Sequence, residues 1–467
     1  MITDGRKTIG IFMNRADTDF QGVVQRITHR EFKKLGYDIF YFFTVGYRDS
    51  ENHYDELEKS MFSFAPIEKL DGALVMPDSY DMHGFREMLL DMLESRAKCP
   101  IVCVRDSGNP YDSLYTDDSN SLEPLMAHLL DDHKFTKVCF QAGYKEHPDS
   151  NARLACYQRE MAKRGLAIPE NGIYYGSMWV KGADLAFEHF FGDPDNWPEA
   201  VVCANDYMAY ALIEELYQRG YNVPEDVVVT GFDNIKDYEL CRIPLTTVGQ
   251  DYDNMVLGAI NLLHERIQAK ARGEELPKPK HYKLPGSLQI RDTCGCGSDE
   301  PPEDLSQRVM RMNKEQRSIR QREVSQTYFS IELNAVDDYD RIHHTIFRKL
   351  NDIPALRDFY LCLFEDENGF SEKITDHVRL MSAIRDRQDK GVPNITFDRS
   401  LIVPSLAERA DEPQAFYVHL LHQRESMFGY TVMQLQDGEV PSMFYMHWNI
   451  IISIALRTLA SQFKLEA

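Results

Sequence analysis

Three short apolar runs between Val201 and Val248 each end in a polar cluster, and no other stretch constrains the fold of this chain as much. Val201 to Cys203 stops at Asn205-Asp206, Val227 to Val229 runs into Gly231-Phe232-Asp233, and Leu245 to Val248 delivers Gln250-Asp251. Uninterrupted apolar runs of this length mark strands covered on both faces, as in parallel sheets flanked by helices. Between the first two runs, Tyr207 to Arg219 has helical spacing, with Asp206 placed as its N-cap and Gly220 as its stop. Ligands of open α/β sheets bind beyond the carboxyl ends of the strands, so the three polar clusters are candidate binding groups.

The same alternation starts earlier. Strand-like runs at Thr8–Met13, Tyr37–Thr44, Gly72–Pro77, Pro100–Arg105, Lys137–Gly143, Gly172–Gly176 and Ala200–Ala204 are separated by helical patterns, which predicts βαβ units on parallel sheets. At Asp292 to Pro302 the pattern breaks into Gly, Pro and acidic residues, as a linker does. Leu305 to Leu333 then reads as a helix with an apolar seam at Leu305, Val309, Met312 and Ile319, continued after a phase shift by Val324, Tyr328 and Ile331. Beyond it the order is a helix at Tyr339–Leu350, strands at Phe359–Phe364 and near Asn394–Val403, a hairpin-like pair at Phe416–His422 and Phe428–Leu435, and a helix at Met443–Phe463. This α+β order is similar to that of a GAF-like sensor domain.

The motif order AND, GYNVPED, GFDN, PLTTV and QD, preceded by the segment Asp149 to Tyr157, resembles the ligand-binding core of the lactose-repressor family over roughly residues 7 to 293. The resemblance implies a two-lobed type I periplasmic-binding-protein-like fold at 1–293. Its crossovers between lobes are expected near 117, 250 and 278, and the ligand in the cleft between the lobes. A linker and signalling helix at 294–336 and a smaller α+β, GAF-like domain at 337–467 complete the expected organisation.

Arg153 lies on the first turn of a helix that Asp149, Ser150 and Asn151 are placed to cap. The resemblance makes it a ligand clamp, and the alternative is a surface arginine. Asp233 corresponds to the family's ligand aspartate, or caps a helix over Ile235–Leu240. Asn205 matches a ligand-contacting asparagine, whereas Asp206 is expected only to cap. Trp179 and Phe20, expected from opposite lobes, are placed to stack on the apolar face of a sugar or a purine, or else pack in the core. Asn14, Arg15, Asp19, Asp78, Asp149 and Gln250 complete the candidates by their places at strand ends and helix starts.

Charge and cysteine content exclude much else. The 467 residues carry 52 basic and 74 acidic groups, a net charge of −22, so an extended phosphate-binding surface is not expected. Met1 to Lys7 is too polar for a secretory leader and Ile450–Leu456 too short for a membrane span, which points to a cytoplasmic protein. Six of the nine cysteines sit in or beside apolar runs, as reduced cysteines do. Cys294 and Cys296 form one close pair, expected to be reduced linker thiols without metal, because no second Cys or His pair of matching spacing accompanies them. His343, His344, His419 and His422 are likewise expected to lack partners. No catalytic motif, metal or cofactor is expected. The first strand starts at Thr8 without the helix-turn-helix that opens such repressors, and no GGDEF string follows. The expectation is therefore a non-catalytic sensor, forming a homodimer and binding a small polar metabolite of sugar or nucleoside type. Its alternatives are the input region of a diguanylate cyclase and a transcription regulator acting through a partner or separate DNA-binding domain.

Overall fold

The computed structural model describes residues 2, 5–16, 19–46, 57–80, 82–235, 243–297, 305–353, 355–367, 369–404, 412–441 and 443–466. The first apolar runs form β1 (Thr8–Asn14), α1 (Asp19–Lys34), β2 (Asp38–Thr44), β3 (Gly72–Val75), α2 (Phe85–Arg96), β4 (Ile101–Val104) and β5 (Asp112–Thr116). All five strands are parallel in the order β5-β4-β3-β1-β2, with Ile11 opposite Tyr41 on one side and Leu74 on the other. Every residue of β1 and β2 is buried, the pattern of strands covered on both faces.

A second run follows: β6 (Val138–Ala142), α3 (Pro148–Lys163), β7 (Ile173–Tyr175), α4 (Ala183–Phe191), β8 (Ala200–Cys203), α5 (Asp206–Gln218), β9 (Val228–Asp233), β10 (Thr246–Gly249), α6 (Tyr252–Ala271) and β11 (Ser287–Gln289). Its sheet has the order β11-β10-β9-β8-β6-β7, parallel except where β11 runs against β10. Gly220, at φ +89°, ends α5 as its backbone freedom allows. The strand at 227 is longer in structure than in pattern, because β9 continues through Gly231 and Phe232 to Asp233, whereas β10 keeps four residues and is shifted by one. Residues 236–240, where a helix after Asp233 was expected, lie outside the described residues.

The chain then forms α7 (Leu305–Asn334), α8 (Tyr339–Arg348), β12 (Leu356–Asp366), β13 (His377–Arg385), β14 (Ile395–Asp398), β15 (Ala415–Gln423), β16 (Ser426–Leu435) and α9 (Met443–Glu466). These strands are antiparallel in the order β15-β16-β12-β13-β14. The pattern analysis missed β13, whose HVRLMSAIR mixes arginine and serine into an apolar strand.

Contacts divide the chain into two compact units, one of residues 1–115, 252–282 and 313–467, the other of 116–251 and 283–312. The C-terminal strands are therefore not set apart as the expected smaller domain at 337–467. β15 pairs in parallel with β2, from Ala415 opposite Ile39 to Val418 opposite Phe42, and joins both sets of strands into one sheet. Tyr41 stacks on Tyr417 at 4.7 Å and Phe40 on Phe416 at 5.4 Å, while Gln414 donates its amide to Asp38 Oδ1 at 2.8 Å. One apolar core runs through this joint from Phe40 and Phe42 to Phe416, Val418, Tyr430 and Cys362.

Two of the histidines expected to lack partners, His422 and His343, are paired, whereas His419 is buried with neither ring nitrogen hydrogen-bonded. His422 Nε2 meets Glu58 Oε1 in a fully buried pair, and the Val45 amide donates to Glu58 Oε2 at 3.0 Å. Burial works against the Glu58 charge, but His422, His419 and the Val45 amide hold its carboxyl below the usual range. His343, 1% exposed, joins Asp389 at 2.8 Å and Ser382 at 2.7 Å. On α7, Phe329 and Leu333 are buried, with Phe329 stacked 4.4 Å from Trp448 of α9.

Candidate functional site

In the second unit the candidate side chains converge on Arg153. His147, not the Asp149–Asn151 segment, caps α3: its Nδ1 accepts from the Ser150 amide at 3.3 Å, and Pro148 occupies the first turn where a missing N–H costs nothing. Buried positions Arg153, Tyr157 and Glu160, with Leu154 and Met161, then follow helical spacing onto the sheet. Arg153 is 2% exposed, so it is not a surface arginine. Its Nε donates to Asp118 Oδ1 at 2.7 Å and its Nη1 to the Ala204 carbonyl at 2.7 Å, while the guanidinium lies 3.7 Å from the centre of the Phe232 ring. Nη2 stands 3.8 Å from Asp233 Oδ1, beyond hydrogen-bond length. Burial opposes the charge, yet Asp118, Asp233 and Asp149 together outweigh it and keep the guanidinium protonated.

Asp233 is the last residue of β9 and leaves it at φ +110°. Gln250, just beyond β10, donates Nε2 to Asp233 Oδ1 at 2.7 Å, and its own Oε1 accepts from Thr116 Oγ1 at 2.6 Å. Thr116, Gln250, Asp233, Arg153 and Asp118 thus form one polar chain across the strand ends. Asp149 acts on this chain through its field on Arg153.

The cap expected of Asp206 is made by Asn205. Asn205 is the N-cap of α5: its Oδ1 accepts from the Met208 amide at 3.0 Å, and its Nδ2 donates to the Met178 carbonyl at 2.9 Å. Both ends of its amide are thereby engaged inside the unit. Asp206 is fully buried and ties neighbouring segments together, accepting from Thr247 Oγ1 at 2.6 Å and from the Ile235 amide at 2.8 Å. Burial, with the Asp233 charge nearby, pushes its carboxyl up to about 8. Gly231 is required beside it, since a Cβ there would lie 2.1 Å from Asp206 Oδ1.

Trp179 is 47% exposed, with its ring 4.3 Å from that of Tyr207, so it is not a core residue. Its loop is seated by Met178, at φ +61°, against Gly143, where a Cβ would meet the Met178 sulfur at 2.2 Å.

The remaining candidates belong to the first unit. Phe20 is buried, 4.5 Å from Tyr252 and 4.8 Å from the Arg105 guanidinium. Arg105 pairs with Asp78 at 3.0 Å. Asn14, 1% exposed, has both amide ends engaged, donating to the Gly46 carbonyl at 3.1 Å and accepting from Thr44 Oγ1 at 2.7 Å. It holds the ends of β1 and β2 together. Asp19 opens α1, and its side chain lies outside the described residues.

Sequence reasoning missed Asp118, Tyr207, Arg105 and Tyr252. Arg105 ends an apolar strand run, the signal used for Asp78. Asp118 lies in an expected crossover, where a carboxylate facing Arg153 had no pattern to reveal it.

Residues 138–289 thus hold a mainly parallel sheet with a buried arginine and an aspartate at its strand ends. Residues 127–294 match the periplasmic binding protein-like domain family. The HTH-type transcriptional repressor PurR of Aliivibrio salmonicida (strain LFI1238) is 27% identical over 266 residues, covering 56% of this chain and 76% of that protein. PurR of Vibrio campbellii (strain ATCC BAA-1116) is 29% identical over 240 residues, covering 51% and 68%. The fold is also that of the transcriptional regulator CelR in a cellobiose complex, at a TM-score of 0.50 and 20% identity over 63% of this chain and 86% of that one. Among the described residues no helix is long and apolar enough to cross a membrane.

Proposed function

We propose that this chain is a cytoplasmic, non-catalytic sensor that binds a small, neutral, polar metabolite of sugar or nucleoside type and serves transcription regulation or signal transduction. The observation that carries this reading is the Arg153–Asp233 pair, held at the strand ends by Asp118, Gln250 and Phe232 but not closed into a hydrogen bond. A guanidinium edge and a carboxylate side by side offer donors and an acceptor to neighbouring hydroxyls or to an amide. Three carboxylates, those of Asp118, Asp149 and Asp233, act on the one guanidinium, which disfavours an anionic ligand. Trp179, exposed on Tyr207, supplies a ring for stacking on an apolar ligand face. The first unit holds a separate candidate cluster of Phe20 with Arg105 and Tyr252. The relatives named as transcriptional repressors support the regulatory part of the reading.

A thermal-shift panel of sugars, nucleosides and their phosphorylated forms tests this. A neutral compound is expected to raise the melting temperature of the wild type and to lose most of that effect in Trp179→Ala. The reading fails if only anionic compounds shift melting, or if Trp179→Ala and Arg153→Lys leave the shift unchanged.

α7 favours a homodimer. Val324, Tyr328 and Ile331 follow at i, i+4 and i+7 and are 51%, 57% and 61% exposed, on a helix whose Phe329 and Leu333 already pack inward. A second copy of the same helix is the proposed cover, and light scattering of Tyr328→Glu checks it by the expected monomer. A GAF-like role for the C-terminal strands and helices, within the input region of a diguanylate cyclase, is the second reading. It rests on the same helix as the route of output, and a GGDEF motif encoded beyond Ala467 separates it from the first.

A further inference from the structure

We propose that the second unit holds a structural zinc ion between His128, His133, Cys294 and Cys296. The four potential ligand atoms lie within 4.8 Å of one another. His128 Nε2 is 3.2 Å from His133 Nε2, and Cys296 Sγ is 3.7 Å and 3.3 Å from these two nitrogens. With Zn–N bonds of about 2.0 Å and Zn–S bonds of about 2.3 Å, a tetrahedral ion needs N···N near about 3.3 Å and S···N near about 3.5 Å. These three side chains therefore already stand near three corners of such a tetrahedron, with Cys294 Sγ within 4.8 Å of them, and two thiolates with two neutral imidazoles balance the charge of Zn²⁺.

The backbone on both sides is shaped for this convergence. His133 follows His128 at i+5, one position more than the i+4 that an α-helix places on one face, and His128–Asp132 forms a π-helical turn in which the His133 amide donates to the His128 carbonyl at 3.1 Å. Such wide turns recur at functional sites, and here the turn brings both imidazoles to one side. Between the thiols, Gly295 adopts φ +87°, a conformation that favours glycine, and reverses the chain within one residue. The outer partners fit as well. His128 Nδ1 is 3.0 Å from Asp132 Oδ2, leaving Nε2 for the ion in the carboxylate–histidine–metal arrangement.

The ion would fasten the segment after β11 to the start of the unit. That segment is already held by Thr293, whose amide donates to the Pro244 carbonyl at 3.1 Å, and by Arg291, whose Nη2 donates to Asn234 Oδ1 at 2.7 Å. Asn234 follows Asp233, so the clamp also steadies the strand end that carries the ligand aspartate. The expectation that no His pair of matching spacing accompanies the two thiols overlooked His128-x4-His133, because the two halves lie about 160 residues apart and only the fold brings them together.

The full chain, reduced, stripped of metal and titrated with Co²⁺ and then Zn²⁺, tests the proposal without reference to any ligand. One Co²⁺ per chain is expected, with thiolate-to-cobalt charge-transfer and tetrahedral d–d bands that Zn²⁺ abolishes. Cys296→Ser, at an exposed position, is expected to remove the charge-transfer intensity of its thiolate and weaken binding at least about tenfold, and Asp132→Asn to weaken it about tenfold. Substoichiometric binding, bands lacking thiolate character, or bands unchanged in Cys296→Ser would overturn it. His344→Ala, in the separate cluster with His343 and Asp389, serves as the control and is expected to leave the bands intact.

Discussion

The sheet of the second unit is built from strands that lie within residues 138–289, whereas β2 of the first unit finds its outer neighbour in β15, with Gln414 bonded to a residue 376 positions before it. The first kind of sheet announces itself as a regular succession of strand and helix. The second depends on a pairing that no local pattern specifies. β2 nevertheless carried a hint: DIFYFFT is apolar on both faces, and an edge strand of that composition would be a template for aggregation.

The comparison is broken most severely by removing the partner strands. A chain ending at Gly297 leaves β2 as an apolar edge and is expected to aggregate, read as loss of soluble protein, while residues 116–297 alone are expected to stay folded by circular dichroism. Should the 1–297 fragment remain monomeric, the joint through β15 is not needed for the first unit. Next in size is Glu58→Ala, which removes the buried carboxylate bonded to His422 and to the Val45 amide and costs about 4 kcal/mol. Hydrogen exchange should then rise in β2, β15 and β16 and stay unchanged in β8–β10, and uniform loss of protection would deny that the two sheets are separable. Arg153→Ala tests the other unit at about 3 kcal/mol, since it leaves Asp118 and Asp233 facing each other; β8–β10 should lose protection first. Trp179→Ala should leave stability within about 0.5 kcal/mol, because the ring is half exposed, yet reduce affinity for a bound metabolite about fivefold.

In pH dependence the two units differ in sign. Asp206 has a folded carboxyl raised to about 8, so its contribution is full below about 4 and is lost as pH rises through about 8. Burial, followed by His422, depresses His419 to about 4 despite the opposing pull of Glu58, so its contribution is full above about 6.5 and is lost as pH falls towards 4. Asp206→Asn is expected to flatten the alkaline loss of stability in the second unit, and His419→Gln the acidic loss in the first. Melting curves from pH 4 to 9 check both, and an unchanged profile in either variant removes that group as the cause.

Much of the candidate site was legible. Asp233, Gln250 and Arg153 were found because each follows an apolar run or starts an apolar-periodic helix, and the structure places all three in one polar chain. Asn205 and Asn14 were legible as strand-end residues but not as what they are, since an amide at a strand end can face a ligand or satisfy the backbone beside it, and both satisfy the backbone or its neighbours. Asp206 was read as a cap because aspartates commonly cap helices, while its burial against Thr247 and Gly231 depends on two strands the local sequence does not contain.

The sequence by itself determined the α/β alternation, the strand ends that carry polar groups and the long helix at 305, because hydrophobic periodicity and capping chemistry act over a few residues. The tertiary structure alone decided that β15 completes the sheet begun by β2, that Asp118 faces Arg153, and that the His128–His133 turn meets Cys294 and Cys296. Each is a contact between segments that are remote or irregular in sequence, whose entropy of closure is offset only once the whole core has formed.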